Sequence, residues 1–319
     1  MGRFLHNPLL LVIGVAVVVA VLPLFLPSNF YLRVAALVFI NALAVLGLNL
    51  LMGFAGQVSL GHAGFFGIGA YAVALGPIYF GLPSWASLIG GTALSGLIAF
   101  VVGRPILRLR GYYLAIATLG MGVLIAMAVS NESDLTGGPN GMEVPRLLVF
   151  GWRATGPLTW YWISGATLVI GVWVAVNLIE SPTGRALRAI HDSEIAARVL
   201  GIRVGRYKLL AFVISAVYAA VAGGYFALFD GFVTPESASF LRSIEFVVMA
   251  VLGGLGSIVG SIVGAAILVI LPQILTVFHE YENIMLGTII IVFLIFLPAG
   301  IVPVLSPLFA QARREYSRR

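Results

Sequence analysis

The sequence predicts an all-α fold, a polytopic transmembrane helical bundle, and three observations predict it. Of 319 residues, 61% are hydrophobic and only 9% charged, where a soluble domain carries about 25% charge. The apolar residues are gathered into long runs, and roughly twenty such residues carry a helix across a bilayer. Hydrocarbon offers no partner to a backbone N–H or C=O, so each run must satisfy itself as a helix.

The runs justify the elements in order. The first, 8–26, follows Arg3 and could pass for a secretory leader, but LPLFLPSNF after it offers no small-x-small cleavage site, so it reads as a retained helix. Runs at 32–53, 62–80, 84–103 and 112–130 follow with short connections, then 158–179 and 209–229. The run 244–275 is interrupted at GGLGS, residues 253–257, and a last run covers 284–304. The expectation is one transmembrane domain over 1–319 with about 8 full spans plus a glycine-broken hairpin, in two weakly related halves. Only the connections 131–157 and 180–208 are long enough to work outside the membrane.

Basic residues orient the bundle, because loops rich in Lys and Arg stay in the cytoplasm. Loop 104–111 carries Arg104, Arg108 and Arg110, and loop 180–208 carries Arg185, Arg188, Arg198, Arg203, Arg206 and Lys208. Both are inside if the N-terminus is inside. The basic tail QARREYSRR joins them only if 244–275 returns to the side it came from. Fourteen of the eighteen basic residues are then cytoplasmic, leaving Arg33, Arg146, Arg153 and Arg242 outside.

Glycine is concentrated in two places. LNLLMGFAGQVSLGHAGFFGIGAY, residues 48–71, contains Gly53, Gly56, Gly61, Gly64, Gly67 and Gly69, and GSIVGSIVG places Gly256, Gly260 and Gly264 at four-residue spacing after Gly253. Ala55, Ser59, Ala63 and Gly67 make a similar small-residue stripe if the helix is continuous there. Such stripes let helices in lipid approach closely. Paired glycine breaks, Gly56 to Gly64 and Gly256 to Gly264, also suit a transporter built from repeats with unwound backbone along the path. Asn49, Gln57, Ser59 and His62 supply polar groups at the first break, to line a path or to bond a neighbouring helix.

No engine is present. The single lysine, Lys208, is not preceded by a phosphate-binding glycine loop, so ATP hydrolysis, if used, belongs to another chain. Four scattered histidines and no cysteine offer no metal site, and no serine elbow or carboxylate pair points to catalysis. Asp230 and Glu245 fall at segment ends, so the span interiors are nearly charge-free, which argues against proton or sodium coupling. The positive charge reports cytoplasmic loops beside membrane lipid and not nucleic acid.

The connection 181–208, SPTGRALRAIHDSEIAARVLGIRVGRYK, reads as two short helices. Ser181 caps the first, with Pro182 as its first residue. Ser193 caps the second, Glu194 sits at its positive end, and Gly201 stops it after Leu200. Small Ala196 and Ala197 between charges suit a docking element, against the alternative of a basic helix lying on lipid.

With these residues in hand the chain resembles the permease subunits of ABC importers for branched-chain amino acids, in particular the larger of their two permeases. GFAGQVSLGHAGFFGIGAY, RGYYLAIATLG with LTGGPNGM downstream, and SEIAARVLGIRVGRYKLLAF carry the resemblance, which spans most of the chain. It implies a second, similar permease, two cytoplasmic ATPases holding ATP and Mg, and a periplasmic or extracellular substrate-binding protein. It implies a bacterial inner-membrane location, where the basic residues put both termini in the cytoplasm, and alternating access for leucine, isoleucine or valine, although related permeases carry urea or short amides. The family's coupling element corresponds here to Glu194, Ile195, Ala196, Ala197 and Gly201, with Ile195 departing from the general importer pattern.

Overall fold

The computed structural model describes residues 8–149, 152–275, 282–297 and 299–304. Arg3 and the basic tail 311–319, on which part of the orientation rests, lie outside the described residues. The chain forms a helical bundle of α1 (Pro8–Val21), α2 (Asn29–Ala55), α3 (His62–Phe80), α4 (Ser84–Ile106), α5 (Tyr112–Asn131) and α6 (Pro157–Glu180). After α6 come two short helices, α7 (Pro182–Asp192) and α8 (Glu194–Val199), then α9 (Val204–Asp230), α10 (Phe240–Gly253), α11 (Ile258–Leu275) and α12 (Glu282–Phe296). Seven described helices are long and apolar enough to cross a membrane, namely α2 to α6, α9 and α11. The expected first and last spans appear as the shorter apolar α1 and α12.

The bundle has two chemically distinct ends. One carries Arg104, Arg108 and Arg110 beside α7 and α8 and is called here the basic end. At the other, distal end, Arg33 pairs with Asp230 at 3.2 Å. Four two-residue strands lie toward the distal end: β1 (Met142–Glu143), β2 (Leu148–Val149), β3 (Trp152–Arg153) and β4 (Phe232–Val233). Antiparallel β1–β4 pairing, Met142 opposite Val233, ties the connection after α5 to the segment after α9.

At the centre, α2 and α9 pack against each other in opposite directions, with Arg33 beside Asp230 and Gly47 on Ser215 and Tyr218. Both are 27 residues long, about 40 Å of helix. Each ends at a glycine in the left-handed region, Gly56 (φ 65°) and Gly231 (φ 77°), a conformation in which a Cβ would strain the chain. Non-helical chain then turns back into the bundle, and the next helix, α3 or α10, starts near mid-height. The depth follows from contacts: His62 meets Ser215, near the middle of α9, and Arg242 meets Asn41, near the middle of α2. The first turns of these two half-depth helices touch, with Ala63 N–H donating to Ser243 Oγ at 3.0 Å.

The rest of the packing repeats the pattern. Helix α9 lies on α3 and α4, and α2 lies on α10 and α11. The order long helix, break, half-depth helix and return helix thus occurs twice, in α2–α4 and in α9–α11, with the two long helices antiparallel, as in the inverted repeats of many transporters. Two expectations change. The structural counterpart of Gly56 is Gly231 and not Gly256. The stripe Ala55, Ser59, Ala63 and Gly67 does not form, because the helix stops at Ala55 and restarts at His62.

Backbone contact holds the centre together. A Cβ at Gly69 or Gly223 would fall 1.9 Å from the carbonyl oxygen of Ala220 or Phe66, so α3 and α9 meet without side chains between them, as small residues permit in lipid. The expected glycine break is present: α10 ends at Gly253, and α11 starts at Ile258 and runs back.

Candidate translocation and coupling sites

The first candidate site is the break after α2. The N–H groups of Gly56 and Gln57 both reach Leu51 O, the latter at 3.1 Å, and so close the helix at a left-handed glycine. The following extended segment has irregular backbone inside the bundle, tolerable only where protein supplies its partners. Thr118 Oγ1 accepts from Leu60 N–H at 3.1 Å. The Ser215 hydroxyl donates to Phe212 O at 2.9 Å, so it accepts from His62 Nε2 at 2.8 Å. His62 Nδ1 then accepts from the Ser59 hydroxyl at 2.8 Å, so an imidazole with its one proton on Nε2 satisfies both contacts. Ser59 and His62 are buried, as is Gln57, whose side-chain amide has no hydrogen-bond partner among the described residues. Gly56 packs on His191 of α7, Gly61 on the Thr118 backbone, and Gly64 on Gly122 and Ile125.

The second is the tip of the α10–α11 hairpin, which lies near the basic end of α2. Asn49 clamps it. Asn49 Nδ2 donates to Ser257 O at 2.9 Å and Ser261 Oγ at 2.8 Å, with a longer contact to Gly254 O, and Asn49 Oδ1 accepts from Gly256 N–H at 2.9 Å. One amide thus serves the donors and acceptors that the turn leaves open. Close backbone contact completes the hairpin: a Cβ at Gly253 would lie 1.8 Å from Gly260 O, and one at Gly264 would lie 1.9 Å from Met249 O. Asn49, Gly253, Gly256, Gly260 and Gly264 therefore come together, whereas Gly56, Gln57, Ser59, Gly61, His62 and Gly64 belong to the other break.

The third site is one that hydropathy conceals. Ser239 caps α10, accepting from Arg242 N–H at 3.2 Å, so the helix starts at Phe240 and carries Arg242 and Glu245 in its first two turns. Since α10 starts near mid-height, these residues do not lie at an outer segment end, and the expectation of charge-free span interiors is corrected. Arg242 Nη1 donates to Glu245 Oε2 and Nη2 donates to Asn41 Oδ1, each at 2.7 Å. The guanidinium also lies 5.0 to 5.5 Å from the ring centres of Phe66, Phe226 and Phe246, within cation–π range. The sequence signal was present: Ser239 is a helix-cap residue after Pro235, and Arg242 and Glu245 share a helix face at i, i+3 spacing.

At the basic end, Ser181 Oγ accepts from Thr183 N–H at 3.1 Å to start α7, and Ser193 Oγ accepts from Ala196 N–H at 3.2 Å to start α8. Gly201 lies in the left-handed region, φ 81°. Glu194 forms an ion pair with Lys208 of α9, whose side chain is only 4% exposed, and reaches Arg110 at 3.7 Å. Ala197 is buried, while Ile195, Val199 and Leu200 are 72%, 83% and 77% exposed. A helix pinned to the bundle through its acidic end thus presents apolar side chains outward. Among the described residues no group of His, Cys, Asp or Glu is arranged to hold a metal.

Residues 30–294 match the family described as branched-chain amino acid transport system / permease component. The chain is 37% identical to the high-affinity branched-chain amino acid transport system permease protein LivM of Salmonella typhimurium, over 91% of this chain and 74% of that protein. It is 36% identical to LivM of Escherichia coli, over 89% and 72%, and 28% identical to the high-affinity branched-chain amino acid transport system permease protein LivH of Salmonella typhimurium, over 82% and 90%. No solved structure gives a significant match.

Proposed function

The chain belongs to the permease family of branched-chain amino acid transport systems, and from that premise we propose that it is one of two permeases in an ATP-driven importer of leucine, isoleucine or valine. It is a multi-pass membrane subunit and supplies the path. A second, related permease completes the path, a reading supported by similarity to both LivM and LivH. Two ATPase subunits bind ATP and Mg at the cytoplasmic face, and an external binding protein delivers cargo. The basic end faces the cytoplasm of the bacterial cell, in keeping with the preference of basic loops for that side.

The observation that carries this reading is the geometry of α8. Its apolar residues Ile195, Val199 and Leu200 stand in solvent, while Glu194 is tied to Lys208 on α9 and to Arg110 beside α5. A partner seated on α8 therefore pushes on two helices of the bundle through short, charge-anchored contacts. Helix α9 in turn is in backbone contact with α3, so the push reaches the mid-height junction.

Reconstitution tests the proposal. The chain, co-expressed with a second permease and the ATPases of the same importer, should purify as one complex and accumulate leucine in proteoliposomes only with ATP and loaded binding protein. Uptake that equilibrates without ATP would replace the pump with a passive facilitator. Uptake of urea or short amides, with leucine excluded, would keep the pump and change the cargo.

A further inference from the structure

We propose that Arg242 and Glu245 form a recognition point for the zwitterionic backbone of an α-amino acid, midway along the path. The guanidinium takes the carboxylate, and the Glu245 carboxylate takes the ammonium. This inference rests on the permease reading and assigns a substrate contact within it.

The first argument is position. The remaining charged side chains of the described helices lie at or near the two ends of the bundle, whereas Arg242 contacts Asn41 at mid-height. An ionisable side chain at that depth is costly and commonly marks a substrate or ion pathway. A purely structural contact between α10 and α2 is made as well by apolar residues of similar volume.

Unspent bonding capacity gives the second argument. Of the five N–H donors of Arg242, one goes to Glu245 and one to Asn41. Glu245 uses Oε2 for this contact, and its side chain is 46% exposed. A ligand with a single charge would leave one member of the pair uncompensated. An α-amino acid bears both charges on one carbon and lies head to tail across an intact pair, as a charge-neutral unit.

The surroundings give the third. A cavity of about 500 Å³ lined by Thr234, Glu236 and Ser239 leads to the pair from the distal side. On the other side a cavity of about 370 Å³, lined by Leu37, Val248, Met249 and Leu268, shares Arg242 and Glu245 with the first. A polar approach and an aliphatic chamber thus meet at the charge pair, which suits a ligand whose backbone is charged and whose side chain is a branched hydrocarbon.

The test uses a single thiol. The chain has no cysteine, and Leu241, 70% exposed, lines the polar cavity beside the pair. In membrane vesicles holding the whole importer, modification of Leu241→Cys by a methanethiosulfonate reagent is followed on this chain by mass spectrometry. Leucine should slow modification at least threefold more than equal concentrations of 4-methylpentanoate, which lacks the ammonium, or isopentylamine, which lacks the carboxylate. Glu245→Gln should abolish the preference over 4-methylpentanoate and keep that over isopentylamine. Arg242→Gln should do the reverse, and Arg242→Lys should retain part of the preference that Arg242→Gln loses. Equal protection by all three compounds, no protection by any, or a preference unchanged in Glu245→Gln overturns the assignment. ATP-driven uptake in the same vesicles separates the two readings. Protection without uptake tells against the pump and supports the site, and uptake without protection removes the site and leaves the pump.

Discussion

Gly201 and Gly205 allow the coupling element to be tested with its own internal control. Beyond the adjoining backbone, neither has a heavy atom within 4 Å of where a Cβ would stand, yet Gly201 has φ 81° and Gly205 lies in the first turn of α9. Steric crowding is therefore absent from both, and only backbone conformation separates them. Gly201→Ala pays the left-handed penalty alone, about 1–2 kcal/mol, which corresponds to a factor of roughly 5–30 in a local equilibrium. Gly205→Ala should be neutral or stabilising by up to about 1 kcal/mol. The amide that reports the difference is Ile202 N–H, which closes α8 by bonding Ala197 O at 3.0 Å. Hydrogen exchange of a peptide covering 194–203 in the assembled importer should accelerate about 5–30-fold in Gly201→Ala and not in Gly205→Ala. Stimulation of ATP hydrolysis by loaded binding protein, and uptake, should fall in the first variant only, and further in Gly201→Val. Unchanged exchange in Gly201→Ala would refute the claim that this glycine terminates α8. Accelerated exchange with full stimulation would refute the claim that α8 transmits the stroke.

Three further outcomes are expected. Cysteines at the exposed Ser133 and Glu236 should react with an impermeant reagent in intact cells and one at Ser193 only after permeabilisation; reaction of Ser193→Cys in intact cells reverses the orientation. Gly253→Ala places a Cβ 1.8 Å from Gly260 O, a backbone clash that should cost about 1–3 kcal/mol or more; a wild-type thermal midpoint in detergent would show that α10 and α11 are not in contact. Glu194→Ala leaves the buried Lys208 cation unpaired and should destabilise the basic end by about 2–3 kcal/mol, less than for a fully buried pair because Glu194 is partly exposed; Lys208→Met in the same chain should recover most of the loss, and failure to recover would separate the two residues.

What could be read from the sequence was what depends on neighbours in the chain. The apolar runs became helices because lipid leaves them no other way to satisfy the backbone. The break at 253–257 and the caps at Ser181 and Ser193 followed from local backbone chemistry, as did the left-handed Gly201. Depth was not readable. A hydropathy run marks what lipid accepts and does not say at what height a helix begins, so α3 looked like an ordinary span and α10 like the arm of a hairpin that starts at 244. Arg242 and Glu245 therefore looked like the border of a run that starts at 244, although Ser239 had already begun the helix. Partners far away in sequence were equally hidden: nothing near Glu194 announces Arg110, and nothing near Asn49 announces the Gly256 amide.

The inverted repetition of α2–α4 in α9–α11 has a consequence for vectorial transport. Two copies of one helix order that face opposite ways supply no up or down of their own, since turning the pair over restores the same order of helices. Direction must therefore be written in what the copies do not share. Within the core that is side chains, with Arg242 and Glu245 at the start of α10 and the His62 network at the start of α3. Outside it, α7 and α8 mark one face and the β1–β4 segment with its neighbours the other. Reversing an importer of this architecture would leave the helix order in place and would exchange which face receives the power stroke and which receives the cargo.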